Sequence, residues 1–266
     1  MMAVLRSTLL NLVLFGSVPL WGAAFFAVSL GPARWRIAVS RHWARTLLLS
    51  VKRICGLGYR VEYEGRLPDQ PCVVYWKHES AWEVLAGLNL FGDQAWVLKR
   101  ELLLIPIFGW AVSLLGGIGI DRQGGRRAVR QVVHEGKRRL DEGAWVMIFP
   151  EGRRMWPGTT KRYGRSGAVL ACEAGVPILP IAHNVGDYWR RRAYVKQPGT
   201  VTIRIGEPIE TRGRDPLEVN LEAHRWIESR MREIAPQRRY EPVSVEEAVV
   251  RQHPSHRRAL GSSGEA

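Results

Sequence analysis

The sequence predicts an α/β fold, a mixed sheet flanked by helices, behind an N-terminal membrane-anchoring helical segment. Three observations carry that expectation. Short apolar runs such as Val73–Trp76, Ala144–Phe149 and Val176–Ala182 alternate with amphipathic stretches of helical period, the pattern of strands layered between helices. From Ser7 to Ala33 there is no charged residue, and Leu9 to Leu30 is almost wholly apolar. Histidine and arginine residues recur just after the apolar runs, where open α/β sheets place their chemistry.

The anchor comes first in the chain. Leu9 to Leu30, at about 1.5 Å per residue, extends about 33 Å, enough for a bilayer core. The apolar run is longer than the core of an ordinary signal peptide, although Gly22-Ala23-Ala24 offers a small-residue cleavage site. Only Arg6 precedes the run, whereas Arg34, Arg36, Arg41, Arg45, Lys52 and Arg53 follow it. That one-sided flank places the C-terminal side in the cytoplasm. Pro19 and Gly22 leave open a helical hairpin that dips into one leaflet instead of crossing. Trp35 to Leu57 mixes tryptophans with cations, so it reads either as a helix at an anionic interface or as a domain helix with a solvated face.

The chain has 266 residues, a formal charge of +14 and a pI near 10.4, which point to anionic partners. Among nucleic acid, phosphorylated substrates and acidic lipid, the anchor favours lipid, and no recognised nucleic-acid motif is present. Cys55, Cys72 and Cys172 are odd in number and share no metal-like spacing, so they read as thiols in a reducing compartment. The organisation expected is an anchor and interfacial helix over 1–57, an α/β domain over 58–240 and a disordered tail over 241–266.

Within the domain, Tyr59 to Glu64 alternates like a strand, Val73 to Trp76 forms the next and Ala95 to Lys99 another. Glu101 to Leu115 is apolar but broken by Pro106 and Gly109, too short to span and therefore either core or a wall of a lipid-facing groove. Gly116 to Arg122 is a glycine-rich strand ending in a cation, and Gly124 to Glu142 a helix. Ala144 to Phe149 is a strand that delivers Pro150-Glu151-Gly152-Arg153-Arg154 into a loop. Ser166 to Ala174 is a helix, Val176 to Ala182 and Val201 to Ile205 are strands, and Asp215 caps a last helix with Pro216 at its first position.

The stretch Lys77-His78-Glu79-Ser80-Ala81-Trp82-Glu83 carries the chemistry. His78 falls in the loop after a buried strand, and Glu83 in the first turn of the helix that follows. A carboxylate that holds one imidazole nitrogen leaves the other as a general base for a hydroxyl proton. Ser80-Ala81-Trp82-Glu83 also fits a capping box, in which Glu83 would only satisfy the backbone amide of Ser80. A metalloprotease reading fails, because Trp82 stands where H-E-x-x-H needs its second ligand. Three basic clusters follow at strand ends and in loops: Lys99-Arg100 with Arg122, Glu151-Gly152-Arg153-Arg154, and Lys161-Arg162 with Arg165. Together they look like a phosphate-binding cradle of guanidinium forks and backbone amides.

In order and spacing these motifs resemble those of the bacterial 1-acyl-sn-glycerol-3-phosphate acyltransferase family, over residues 70–185. That family carries His-x4-Asp, an arginine-ended strand with glycine, Phe-Pro-Glu-Gly-Thr-Arg and Val-Pro-Ile-x-Pro. Here they appear as His78 to Glu83, Gly116 to Arg122, Phe149 to Arg154 and Val176 to Pro180. Glu83 replaces the usual Asp, and Arg153 the usual Thr. The resemblance implies a glycerolipid acyltransferase-like fold and transfer of an acyl group from acyl-CoA or acyl-carrier protein to the sn-2 hydroxyl of lysophosphatidic acid, giving phosphatidic acid. His78 would be the base and Glu83 its orienting partner. Arg122, Glu151, Gly152 and Arg154 would bind the glycerol phosphate, with Arg153 and Lys99 as further contacts. No metal or dissociable cofactor is implied, and no serine lies in a G-x-S-x-G elbow. The site would face the cytoplasm at a bacterial inner membrane. Acylation of another lysolipid, such as a lyso-ornithine lipid or lysophosphatidylethanolamine, is the alternative within the class. A membrane-anchored, non-catalytic lipid-binding protein is the alternative outside it.

Overall fold

The structure, a computed structural model, describes residues 1–240. The tail expected to be disordered lies outside the described residues. Seven strands form one sheet: β1 (Leu57–Tyr63), β2 (Val73–Trp76), β3 (Gln94–Lys99), β4 (Ile118–Ile120), β5 (Trp145–Ile148), β6 (Ile178–His183) and β7 (Gly199–Ile205). Their spatial order is β1-β7-β6-β2-β5-β3-β4. All neighbours are parallel except β6 and β7, so the sheet is mixed. The C-terminal ends of β2, β3, β4, β5 and β6 therefore share one edge. That shared polarity brings together motifs spread over more than a hundred residues.

β2 sits at the centre and is fully buried along its length. Its side chains alternate between two cores. Val74 and Trp76 face α2 (Ala33–Cys55) and α3 (Trp82–Leu90). Val73 and Tyr75 face α5 (Arg126–Asp141), α6 (Ser166–Ala174) and α7 (Pro216–Ile234). The alternation continues past the strand end, where Lys77 points toward α7 and His78 toward α3. The helix α7 starts as expected: Pro216 occupies its first turn, and the Asp215 carboxylate accepts the Leu217 N–H at 2.6 Å.

The first helix, α1 (Met2–Ala27), is long and apolar enough to cross a membrane, and it runs unbroken through Pro19 and Gly22, so the hairpin those two residues left open does not form within it. It folds back antiparallel on α2, with Trp43 Nε1 donating to Ser17 Oγ at 3.0 Å and the Trp21 ring 5.5 Å from that of His42, tilted by 38°. Near its start, Ser7 Oγ accepts the Lys196 N–H at 2.9 Å and Asn11 Oδ1 accepts from Lys196 Nζ at 2.7 Å. Near its end, Phe26 meets Trp110 of α4 (Phe108–Leu114) at 6.1 Å. The helix is thus docked on the α/β unit at both ends. Leu5, Leu9, Leu12 and Leu20 stay exposed along one side of it.

Candidate active site

His78 lies flat on Phe149, with ring centroids 3.7 Å apart and planes at 12°. Its Nδ1 is 3.1 Å from Oε2 of Glu83, whose side chain is 0% exposed. Oε1 of the same carboxylate accepts the backbone N–H groups of Glu79 at 2.8 Å and Ser80 at 2.6 Å. Capping and orienting, which the sequence offers as alternatives, are both present, one on each oxygen. A carboxylate accepting the Nδ1 proton leaves the Nε2 lone pair for a substrate. Burial pushes Glu83 up to about 7, against the pull of His183 and the two amides. Burial, then Arg154, then Arg122 lower His78 to about 3, so its ring is neutral at physiological pH.

Beside Phe149 opens a cleft of about 620 Å³, lined by Arg122, Gly152, Arg153, Lys161, Arg162 and Arg165. Arg122 is there because β4 ends two residues before it. Gly152 takes φ +67°, and a Cβ would meet open space there, so it is the turn and not crowding that asks for glycine. The turn is closed by the Gly152 N–H on Phe149 O at 2.9 Å, and the loop is tied to His78 by the Met155 N–H on its carbonyl at 2.7 Å. Arg153 faces the cleft. Arg154 stands outside its lining, where its carbonyl accepts from Arg191 at 2.7 Å and its charge acts on His78. Arg122, Arg153, Arg154, Lys161 and Arg165 make no ion pair with a carboxylate among the described residues. Uncompensated guanidinium groups around a glycine turn suit a phosphomonoester.

Lys99, like Arg154, stands outside the cleft lining, and Glu151 meets it with a side chain turned inward. Lys99 ends β3 where the chain turns away into a 3-10 turn; its ammonium pairs with Glu101 at 3.1 Å and does not line the cleft. Glu151 has a side chain that is 0% exposed, turned inward 3.3 Å from Lys77 Nζ. Lys77 also donates to Glu228 of α7 at 2.8 Å and to the Thr159 carbonyl at 3.2 Å. Glu228 in turn accepts from Thr160 and Tyr163. Burial opposes the Lys77 charge, but Glu151, Glu228 and Glu79 outweigh it and raise its pKa, while burial raises Glu151 to about 7. Lys77 therefore ties the strand carrying His78 to the loops carrying the arginines, and Glu151, at the floor of the cleft, is held by that buried cation. The sequence reading missed Lys77, Glu228 and His183. For the first two the only sequence signal is a lysine inside an apolar run, which must find carboxylates somewhere. Glu79, next to His78, is also spoken for, held by two guanidinium nitrogens of Arg238 at 2.9 and 3.1 Å.

On the α3 side, an apolar pocket of about 140 Å³ lies between α1, α2 and α4, lined among others by Trp21, Phe25, Trp43, Trp96, Ile107 and Phe108. Leu104, Ile105 and Trp110 stay exposed beside it. The broken segment 101–115 is thus a groove wall and not core.

A histidine positioned by a buried carboxylate and an arginine-lined cleft thus meet at the strand ends of the sheet. Residues 59–184 match the family described as Acyltransferase. A 1-acyl-sn-glycerol-3-phosphate acyltransferase of Pseudomonas aeruginosa is 40% identical over 238 residues, 87% of this chain and 92% of that protein. The mouse 1-acyl-sn-glycerol-3-phosphate acyltransferase alpha is 31% identical over 202 residues, 74% of this chain and 70% of that one. The crystal structure of the 1-acyl-sn-glycerophosphate (LPA) acyltransferase PlsC from Thermotoga maritima shares the fold, with a TM-score of 0.71 at 19% identity over 90% of this chain and 97% of that one. The protein is an acyltransferase. More narrowly, it belongs to the 1-acyl-sn-glycerol-3-phosphate acyltransferase family.

Proposed function

We propose that this enzyme acylates the sn-2 hydroxyl of 1-acyl-glycerol-3-phosphate from acyl-CoA or acyl-carrier protein, making phosphatidic acid at the cytoplasmic face of a bacterial inner membrane. The observation that carries the reading is the His78 Nδ1–Glu83 Oε2 contact of 3.1 Å beside the arginine cleft, because it frees Nε2 as a base next to a phosphate cradle. His78 takes the hydroxyl proton as the oxygen attacks the thioester carbonyl. The new C–O bond gives a tetrahedral oxyanion. Collapse breaks the C–S bond, and the imidazolium returns its proton to the leaving thiolate. Glu83 holds the ring and stabilises its charge meanwhile. Arg122 and Arg153 grip the phosphate, and backbone amides of the loop around Gly152 are the candidate donors to the oxyanion. A phosphate dianion near Arg122 and Arg154 offsets the cations that lower the His78 pKa, so acceptor binding makes the base stronger. No cofactor takes part in this scheme.

The docking of α1 at both ends and its return on α2 support an α1–α2 hairpin held in one leaflet, with the apolar pocket open to acyl chains. The test is purified full-length enzyme in detergent with both thioesters and a lysolipid panel. Transfer to 1-acyl-glycerol-3-phosphate should exceed transfer to lyso-ornithine lipid or lysophosphatidylethanolamine. A reversed preference would reassign the acceptor, and no transfer with any acceptor would leave a lipid-binding protein.

A further inference from the structure

A second imidazole, that of His183, lies behind the first. We infer that His183 is a positioning residue for the acyl transfer, holding both the Glu83 carboxylate and the backbone that carries the base. The inference rests on His78 being that base. His183 is the last residue of β6, the strand parallel to β2, and its side chain is 0% exposed. The Val185 N–H points at its Nδ1 at 3.2 Å, which makes Nδ1 an acceptor and places the ring proton on Nε2. That Nε2–H donates to the carbonyl of Lys77 at 2.8 Å and lies 3.4 Å from Glu83 Oε1. One imidazole thus fixes the peptide group immediately before His78 and holds its Nε2–H edge 3.4 Å from an oxygen that already accepts two amides, an electrostatic contact that helps keep the carboxylate charged.

The physical need is plain. A carboxylate with no solvent contact keeps its charge only while donors surround it, and its charge sets which nitrogen of His78 carries the proton. A lysine or arginine at position 183 would hold that charge more strongly, but would form a buried ion pair that competes with the imidazolium appearing on His78. A neutral N–H donor supports the carboxylate without that competition. Burial keeps His183 neutral, its pKa lowered to about 4, even with Glu83 beside it. The other titratable groups around the pair are His78 itself and Glu79, whose carboxylate is occupied by Arg238. Neither can replace the Nε2–H donor.

Three substitutions separate positioning from packing. His183→Gln keeps an N–H donor at the reach of Nε2, whereas His183→Asn keeps an acceptor for the Val185 N–H but falls short of Glu83. His183→Leu removes both. Steady-state rates across pH 5–9 should show kcat down by about 10- to 100-fold in the Leu and Asn variants, the scale for partners that orient a working imidazole. KM for the lysolipid should change less than threefold. Losing the N–H edge beside the carboxylate raises the pH at which Glu83 ionises, so the acid limb of the kcat profile should move to higher pH in both. The Gln variant should stay within about fivefold of the parent with the limb in place. The inference is overturned if His183→Asn keeps the parental rate and limb, or if Gln and Asn are equally impaired with the limb unmoved, which marks packing alone. His78→Ala, run alongside, keeps the two ideas apart. If it stays active the base assignment fails first, and if it is inactive while His183→Asn is normal, only His183 is wrong.

Discussion

Glu83→Gln tests the site most sharply, because the two oxygens of Glu83 do different work. The amide has a single acceptor oxygen. Two backbone N–H groups, at 2.8 and 2.6 Å, compete for it against one imidazole N–H at 3.1 Å, so the oxygen stays with the loop. The NH2 group then faces Nδ1 of His78. Two N–H groups cannot share that gap, so Nδ1 becomes the acceptor and the ring proton moves to Nε2, where the base is needed. The equivalent change in a serine protease triad lowers kcat about 10⁴-fold through the wrong tautomer, about 5.4 kcal/mol of transition-state stabilisation. We expect a loss of about 10³- to 10⁴-fold in kcat here, read by continuous detection of the released thiol. Since a glutamine amide caps the loop as glutamate does, the melting temperature should move little. The defect should persist across pH 6–9, because no titration restores the lost acceptor. Glu83→Asp keeps the charge but is a methylene shorter, and should fall between the two. A Glu83→Gln enzyme with more than a tenth of the parental kcat would refute the tautomer argument.

Other expectations follow from the same geometry. Protonating Glu83 also turns Nδ1 into an acceptor, so activity should be full at alkaline pH and lost as pH falls through the Glu83 pKa. The acid limb of kcat/KM should lie near 7, and a limb below 5 would contradict the assignment. Arg153→Ala should raise KM for the lysolipid by about tenfold, with kcat changed little, as a lost charge-assisted contact does. Arg154→Ala, outside the cleft lining, should have the smaller effect on KM, and the reverse order would undo the division between the two arginines. Lys77→Met leaves Glu151 and Glu228 buried without their cation, at about 3–5 kcal/mol. Glu151 then ionises with still more difficulty in the fold than unfolded, so the loss of melting temperature should be smaller at pH 5 and grow as pH rises. Equal losses at pH 5 and 8 would argue against this. Reporters fused before Met1 and after Ala266 should both be cytoplasmic if the α1–α2 hairpin dips into one leaflet. An N-terminal reporter on the far side would show a span.

Much of this was legible in the sequence, for identifiable reasons. β2 read as a buried strand because both its faces are covered, which makes Val73–Trp76 continuously apolar. The helix at Ser166–Ala174 and the Asp215-Pro216 cap carry local signals and sit where expected. The basic clusters converge because parallel strands share a polarity. What was not legible depends on side-chain direction or distant pairing. Nothing in Glu151-Gly152-Arg153-Arg154 says which side chain enters the cleft. The positive φ of Gly152 turns the loop so that Arg153 lines the cleft, while Glu151 is drawn inward to Lys77. The Lys77–Glu228 contact joins residues 151 positions apart. His183 sits at the end of an apolar run, and its role depends on β6 lying next to β2, an order that periodicity does not reveal.

The placement of the site on β2 gives one strand two separate duties. Because side chains alternate, Lys77 and His78 leave the same strand end in opposite directions. Lys77 enters the α7 side and fixes the loops that carry the arginines. His78 enters the α3 side, the side on which α1 and α2 pack and the apolar pocket opens. A phosphate drawn to the cleft and acyl chains drawn to the pocket would then meet at one imidazole from two directions. A one-residue shift of β2 would exchange the two side chains, sending a base to a buried acid cluster and an ammonium to the reacting hydroxyl. On the proposed mechanism, every hydrogen bond that fixes the register at this strand end would bear on catalysis. The bonds from Lys77 N to Ile181 O at 3.0 Å, from Met155 N to His78 O at 2.7 Å and from His183 to Lys77 O at 2.8 Å all hold it there.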